Sequence, residues 1–154
     1  MITLNELGTI TLLGVIVTVL FWIIVIPVFA IEIDMNTIAT IESNNNPSAH
    51  NKAEDGRGLY QINPICLKEW NNFHQDNKYS KEQLFNSIIN TKIAKWYMNI
   101  RIPQMIKYYG MPDTIKNRLI AWNAGISYIK NVKDIPLSTK EYIKKYNKLA
   151  ESIK

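Results

Sequence analysis

The chain has 154 residues, 18 Lys and Arg against 13 Asp and Glu, and one cysteine, Cys66. That length holds one domain of ordinary size, and a lone cysteine excludes an intrachain disulfide. His50 and His74 lie apart without Cys or acidic partners at ligand spacing, so no metal is expected, and no cofactor motif such as a Gly-rich phosphate loop occurs. Nor is there a Ser, His and Asp set at recognisable motifs.

Charge is divided unevenly. Up to Asn51 the acids are Glu6, Glu32, Asp34 and Glu42, with no Lys or Arg, so all 18 basic residues come later against the nine remaining acids, a net of +9. Such a domain is drawn to an anionic polymer. Nucleic acid, an anionic membrane surface and a bacterial wall all qualify, and plain solubility is the simplest reading.

Residues 1–8 form a short tail. Thr9 to Ile31 carries no charge and is dominated by Ile, Val, Leu, Phe and Trp; a helix of about 22 residues at ~1.5 Å each covers roughly 30 Å, the thickness of a bilayer core. A cleavable signal would place Lys or Arg before a shorter apolar run. Val28-Phe29-Ala30 suits a cut, but the run is long and only Glu6 is charged before it, so an uncleaved anchor over 9–31 is preferred. No basic residue precedes Lys52, which leaves the orientation unreadable from flanking charge. Residues 33–154 read as one soluble domain.

Within that domain Asn36 is placed to cap a helix carrying Ile38 and Ile41, which should end near Ser43, since three Asn and Pro47 favour turns. Asn44 to Arg57 reads as a polar loop, with Gly56 and Gly58 allowing a tight turn. Leu59 to Ile62 suits a short strand or extended segment. Pro64 opens a helix to about Trp70. Ser80 with Gln83 predicts a capping box, then an apolar stripe through Leu84, Ile88, Ile89, Ile93, Trp96, Tyr97 and Ile100 that Pro103 interrupts. Gln104 to Tyr109 ends at Gly110. Asp113 or Thr114 starts a helix through Ile115, Leu119, Ile120 and Trp122 to Gly125, a short helix spans Ser127 to Val132, and Pro136 breaks it. A second capping box, Ser138 with Glu141, opens the last helix through Tyr142, Ile143, Tyr146 and Leu149. The expected fold is mainly α, six or seven short helices with at most a minimal β segment.

Five segments of this domain resemble the lytic transglycosylases of the soluble-transglycosylase type, a lysozyme-like family. Ile38 to Pro47 is similar to the family's catalytic-glutamate segment, an apolar helix ending in Glu-Ser followed by Asn and Pro. Gly58-Leu59-Tyr60-Gln61-Ile62 resembles Gly-Leu-Met-Gln-Ile, and Asn90 to Met98 the helix behind the site. Ala121-Trp122-Asn123-Ala124-Gly125 resembles Ala-Tyr-Asn-Ala-Gly, and Thr139 to Ile143 the closing Thr-Arg-x-Tyr-Val. Their order and spacing hold over nearly the whole domain.

The resemblance implies a peptidoglycan enzyme, without nucleic acid as a partner, that cleaves the bond between N-acetylmuramic acid and N-acetylglucosamine. Protonating a glycosidic oxygen requires a carboxyl that keeps its proton near neutral pH, and an apolar setting such as Ile38, Ile41, Leu59 and Ile62 raises a pKa. Glu42 is that carboxyl. A hydrolase usually needs a second carboxylate; no other acid lies in a matching motif, and Glu54 and Asp55 fall in the polar loop. In the resembled family the glutamate next takes a proton from the muramic C6 hydroxyl, closing a 1,6-anhydro ring.

The resemblance further implies substrate contacts at Ser43, Tyr60, Gln61, Trp122 and Asn123, and at Tyr142 a role in orienting the glutamate or the intermediate. Ser43 and Asn123 also suit plain helix ends, and Tyr142 plain packing. Trp122 stands where tyrosine is usual, keeping a stacking face but losing the hydroxyl. Asn63, Ser138 and Lys140 also depart from the pattern. Since peptidoglycan lies outside the cytoplasmic membrane, the expected arrangement is an anchored domain facing the wall. Two rival readings stand: a hydrolytic lysozyme, and a structural part of a phage particle or a secretion or conjugation machine.

Overall fold

The structure, a computed structural model, describes residues 31–130 and 134–152. The expected tail and all of the expected anchor except Ile31 lie outside the described residues, as does Val132. Among the described residues no helix is long and apolar enough to cross a membrane.

Helix α1, Met35–Ser43, buries Ile38 and Ala39. Its cap is Asp34 and not Asn36: the Asp34 carboxylate accepts from the backbone N–H of Asn36 and Thr37 and from the Thr37 hydroxyl. A carboxylate offers two charged acceptors to a helix N-terminus, where an amide offers one neutral oxygen. The helix ends as expected at Ser43, and Asn44 takes the left-handed conformation, φ 55°.

The β content is a two-stranded antiparallel ribbon, β1 His50–Asn51 and β2 Gly56–Arg57, with His50 opposite Arg57. Leu59 to Ile62, which suits an extended segment by sequence, is instead a turn, closed by one bridge between Arg57 and Ile62. Gly58 (φ 76°) and Gln61 (φ 48°) hold left-handed conformations there, which no extended strand permits.

Helix α2 is Pro64–Phe73, capped by Asn63. Ser80 and Gln83 form half of their box, the Ser80 N–H donating to Gln83 Oε1, but the next element is a 3₁₀ turn, Glu82–Phe85. Helix α3, Ser87–Trp96, starts later and is capped by Asn86. The stripe is narrower than expected: Leu84 and Ile93 are buried, while Ile88 is 78% and Ile100 49% exposed. Pro103 does not interrupt the helical path. A π turn over Tyr97–Arg101 leads directly into α4, Ile102–Tyr108, with Pro103 in its first turn; the widened turn accommodates both the missing donor and the ring.

Helices α5, Ile115–Asn123, α6, Ser127–Lys130, and α7, Leu137–Glu151, complete the described fold. Thr114 caps α5, which frees Asp113 to bind Arg118 through both oxygens at 2.7 Å. The predicted Ser138 and Glu141 box does not form; α7 begins at Leu137 behind Pro136, without a side-chain cap. Pro136 supplies the turn by its fixed φ of −54°. Seven α-helices among the described residues agree with a mainly α, lysozyme-like domain. The core runs through Ile38, Ile93, Met98, Ile102, Ile106, Leu119 and Ile120, and α7 packs on both α1 and α5.

Candidate active site

Helix α1 presents Glu42 one residue before its end, and two other helices complete its setting. The Trp122 indole N–H, from α5, donates to Glu42 Oε1 at 2.7 Å, and the Tyr142 hydroxyl, from α7, donates to the same oxygen at 2.8 Å. Residues 80 and 100 positions away along the chain thus meet Glu42 on one atom. Glu42 Oε2 has no hydrogen-bond partner among the described residues, where no buried polar side-chain atom lacks one, so this oxygen is not sealed from solvent.

Burial raises the Glu42 pKa above the ordinary 4.5, opposed by the two donated bonds and the more distant Lys145; the charge of Glu54 acts with burial. An indole nitrogen can only donate, so the oxygen it touches is the carbonyl-like one when the carboxyl is protonated. In the protonated form the proton therefore sits on Oε2. Burial beside the anionic carboxyl pushes the Tyr142 phenol far above its usual range, which keeps it a donor.

A third contact holds Trp122 and Tyr142 in register. Thr139 Oγ1, one turn before Tyr142, donates to the Asn123 amide oxygen at 2.7 Å, next to Trp122. Asn123 is thus occupied on one side with joining α5 to α7. Behind Trp122, the Tyr97 ring meets it edge-on, centroids 6.1 Å apart.

The remaining expected residues support the site from beneath. Ser43 Oγ donates to the carbonyls of Leu59 at 2.8 Å and Ala39 at 3.2 Å, and accepts from Asn46 N–H, tying the end of α1 to the Gly58 turn. The Gln61 amide donates to the carbonyls of Gly58 and Ala49, while its oxygen accepts from Asn51 N–H. Tyr60 is 4% exposed and belongs to the core, its backbone N–H bound by Asn90. The structure therefore gathers Glu42, Trp122 and Tyr142 at one point. Ser43, Gln61, Asn123 and Tyr60 brace the walls.

Two further residues matter here that sequence reasoning leaves without a role. Thr139 stands in the closing segment, where a hydroxyl three positions before the tyrosine is the available signal. Asn90 is fully buried and bonds Tyr60 N–H, Arg57 carbonyl and Leu84 carbonyl; a polar residue inside an apolar stripe is its signal. Among the described residues no cluster of His, Cys, Asp or Glu could hold a metal.

Comparison with known proteins agrees with this geometry. The family model described as "Transglycosylase SLT domain" matches residues 34–148, well over half of the chain. No curated protein and no solved structure matches the chain. With a match that runs from the cap of α1 into the last turns of α7 and includes Glu42, Trp122 and Tyr142, the chain belongs to the transglycosylase SLT domain family.

Proposed function

We propose that the protein is a peptidoglycan lytic transglycosylase in which Glu42 acts as acid and then as base. The observation that carries this reading is the asymmetry of the Glu42 carboxyl: two donors on Oε1, an open Oε2, and a raised pKa. In the first step Oε2 gives its proton to the glycosidic oxygen between N-acetylmuramic acid and N-acetylglucosamine. In the second the same oxygen takes the proton of the muramic C6 hydroxyl as it closes on C1, giving a 1,6-anhydro end without water. The two donors stabilise the carboxylate between these steps. Proton transfer of this kind contributes roughly 10²–10⁴-fold, with positioning supplying the rest.

A hydrolytic reading has one observation in its favour, the Glu54 carboxylate, whose charge acts on Glu42 and which is exposed. It could activate water across the bond. Digestion of purified peptidoglycan with wild type, Glu42→Gln and Glu54→Gln, read by mass spectrometry, separates the two. The lyase reading expects 1,6-anhydro products from wild type and Glu54→Gln, and none from Glu42→Gln. Products heavier by one water, lost in Glu54→Gln, would overturn it.

The apolar run over 9–31 and the net charge of +9 beyond Asn51 support a domain anchored by one N-terminal helix on the wall side of a membrane. A protease-protection assay on vesicles that found the domain in the cytoplasm would remove that topology.

A further inference from the structure

Where the domain meets the uncharged stretch before it, one guanidinium makes the junction. Arg118, 7% exposed, donates from Nη1 to the Ile31 carbonyl at 3.2 Å and holds Asp113 through Nε and Nη2 at 2.7 Å each. Ile31 is the last residue of the uncharged stretch that begins at Thr9. Arg118 therefore ties the end of that stretch to the turn between α4 and α5. The Asn117 amide braces the same turn, donating to the Pro112 carbonyl at 2.7 Å.

The turn exposes aromatic and aliphatic side chains together. Residues 107–116 are all exposed but Met111, which is half-buried. Tyr108 is 83%, Tyr109 40% and Ile115 40% exposed, and the two tyrosine rings meet edge-on with centroids 5.1 Å apart. Lys107 and Lys116 flank them. The one acid of the segment, Asp113, is paired with Arg118, and the exposed Glu32 is the acid next to the junction. Tyrosines mixed with lysines and an aliphatic side chain suit the boundary between lipid headgroups and water, where an amphipathic ring finds both of its environments and a lysine finds phosphate.

We infer that the α4–α5 turn lies in the headgroup layer of the bilayer, an inference that rests on the anchored reading above. In that reading residues 9–31 span the membrane, so Ile31 stands at its surface. Asp113 shares a guanidinium with Ile31, and Tyr108 and Ile115 are five and two residues from Asp113, at most about 18 and 7 Å of chain. Both can therefore reach the layer in which Ile31 stands. The tyrosines and Ile115 enter it, and the two lysines meet lipid phosphates. Glu42 stands at the far end of α1, eight residues from Asp34 and so about 12 Å along the helix axis. The contact thus holds Glu42 off the membrane in one orientation, where a tether alone leaves the domain free to turn.

The test reconstitutes the full chain in vesicles of phosphatidylethanolamine and phosphatidylglycerol, with a nitroxide on the headgroup of a minor lipid. A thiol-reactive fluorophore is attached in turn through Lys107→Cys and Lys116→Cys on the turn. Lys52→Cys, in the loop of the ribbon, and Ile88→Cys, at the start of α3, carry it at exposed positions elsewhere. Cys66 is buried and stays unlabelled, with wild type as the blank. The nitroxide is expected to quench the labels at 107 and 116 and to spare those at 52 and 88, and Tyr108→Ser with Ile115→Ser to abolish the difference. Equal quenching at all four sites, the mark of a domain that turns freely on its tether, would overturn the contact. Labels at 107 and 116 left bright would also overturn it and leave the face to a protein partner. Retention of the chain after alkaline extraction of the vesicles tests the anchor by itself. A chain that is extracted removes the anchored reading; with 107 and 116 quenched beforehand the lipid contact stands without the anchor, and with them bright both fall.

Discussion

Two donors on one carboxylate oxygen give Glu42 a direction as well as an acidity. Each bond favours the charged form and so opposes the rise caused by burial. Removing one of them leaves burial less opposed. Trp122→Phe keeps an aromatic face and deletes the N–H, so the Glu42 pKa should rise and the alkaline limb of kcat/KM against pH should move to higher pH. A limb that stays in place or moves to lower pH would show that the indole does not tune the acid. The same burial sets the sign of a stability effect. A carboxyl whose pKa is raised on folding carries no ionisation penalty below its ordinary value of 4.5, and loses stability as pH rises through the folded value. Glu42→Gln should therefore be more stable than wild type well above the folded pKa, with the difference vanishing below the ordinary value, as read by thermal unfolding on both sides.

At the scale of elements, the site depends on the turn between β2 and α2 more than on any helix alone. Gly58 sits in a left-handed conformation where a Cβ would meet the Leu84 carbonyl and the Asn90 amide. Asn90 uses both ends of its side chain there, taking one N–H and serving two carbonyls. Replacing it by leucine strands two buried backbone groups, the Tyr60 N–H and the Leu84 carbonyl, at about 1–3 kcal/mol each, while the Arg57 carbonyl keeps the Ile62 N–H. Asn90→Leu should lose on the order of 3 kcal/mol or more in chemical denaturation, whereas Asn99→Leu, on an exposed position of the π turn, should change little. The elements also show where the helix signals competed. Asp34 outranks Asn36 as a cap because its charge lies at the dipole. The Ser138 box is left unmade because Pro136 already sets the turn.

Across the whole molecule the charge pattern governs the approach to substrate. Asp55 gathers Arg57, Lys81 and His50 at 2.9, 2.6 and 3.2 Å, so part of the positive charge is paired at the ribbon. These partners hold the Asp55 carboxyl well below the usual range, so its contribution is present above the ordinary value of 3.8 and is lost as pH falls below it. The α7 lysines Lys140, Lys144 and Lys148 are exposed and join no described ion pair. Cosedimentation with anionic walls should therefore weaken steeply between about 0.05 and 0.5 M salt, where the screening length falls well below ~10 Å. Binding that salt leaves unchanged would assign the affinity to the cleft and not to the field.

Much of this is legible in the amino-acid sequence. The glutamate at a helix end, the helical class, the closing tyrosine and the lone cysteine are local patterns, since caps, turn residues and apolar periodicity act over a few neighbouring positions. The N-terminal apolar run is likewise a purely sequential property. Only the tertiary structure decides how distant groups share atoms. Trp122 and Tyr142 converge on one oxygen of Glu42 across 80 and 100 residues, Thr139 pairs with Asn123, and Gln61 spends its amide on the carbonyls of Gly58 and Ala49. Such contacts depend on the packing of α1, α5 and α7 against one core. No spacing along a chain encodes which of two carboxylate oxygens is left open.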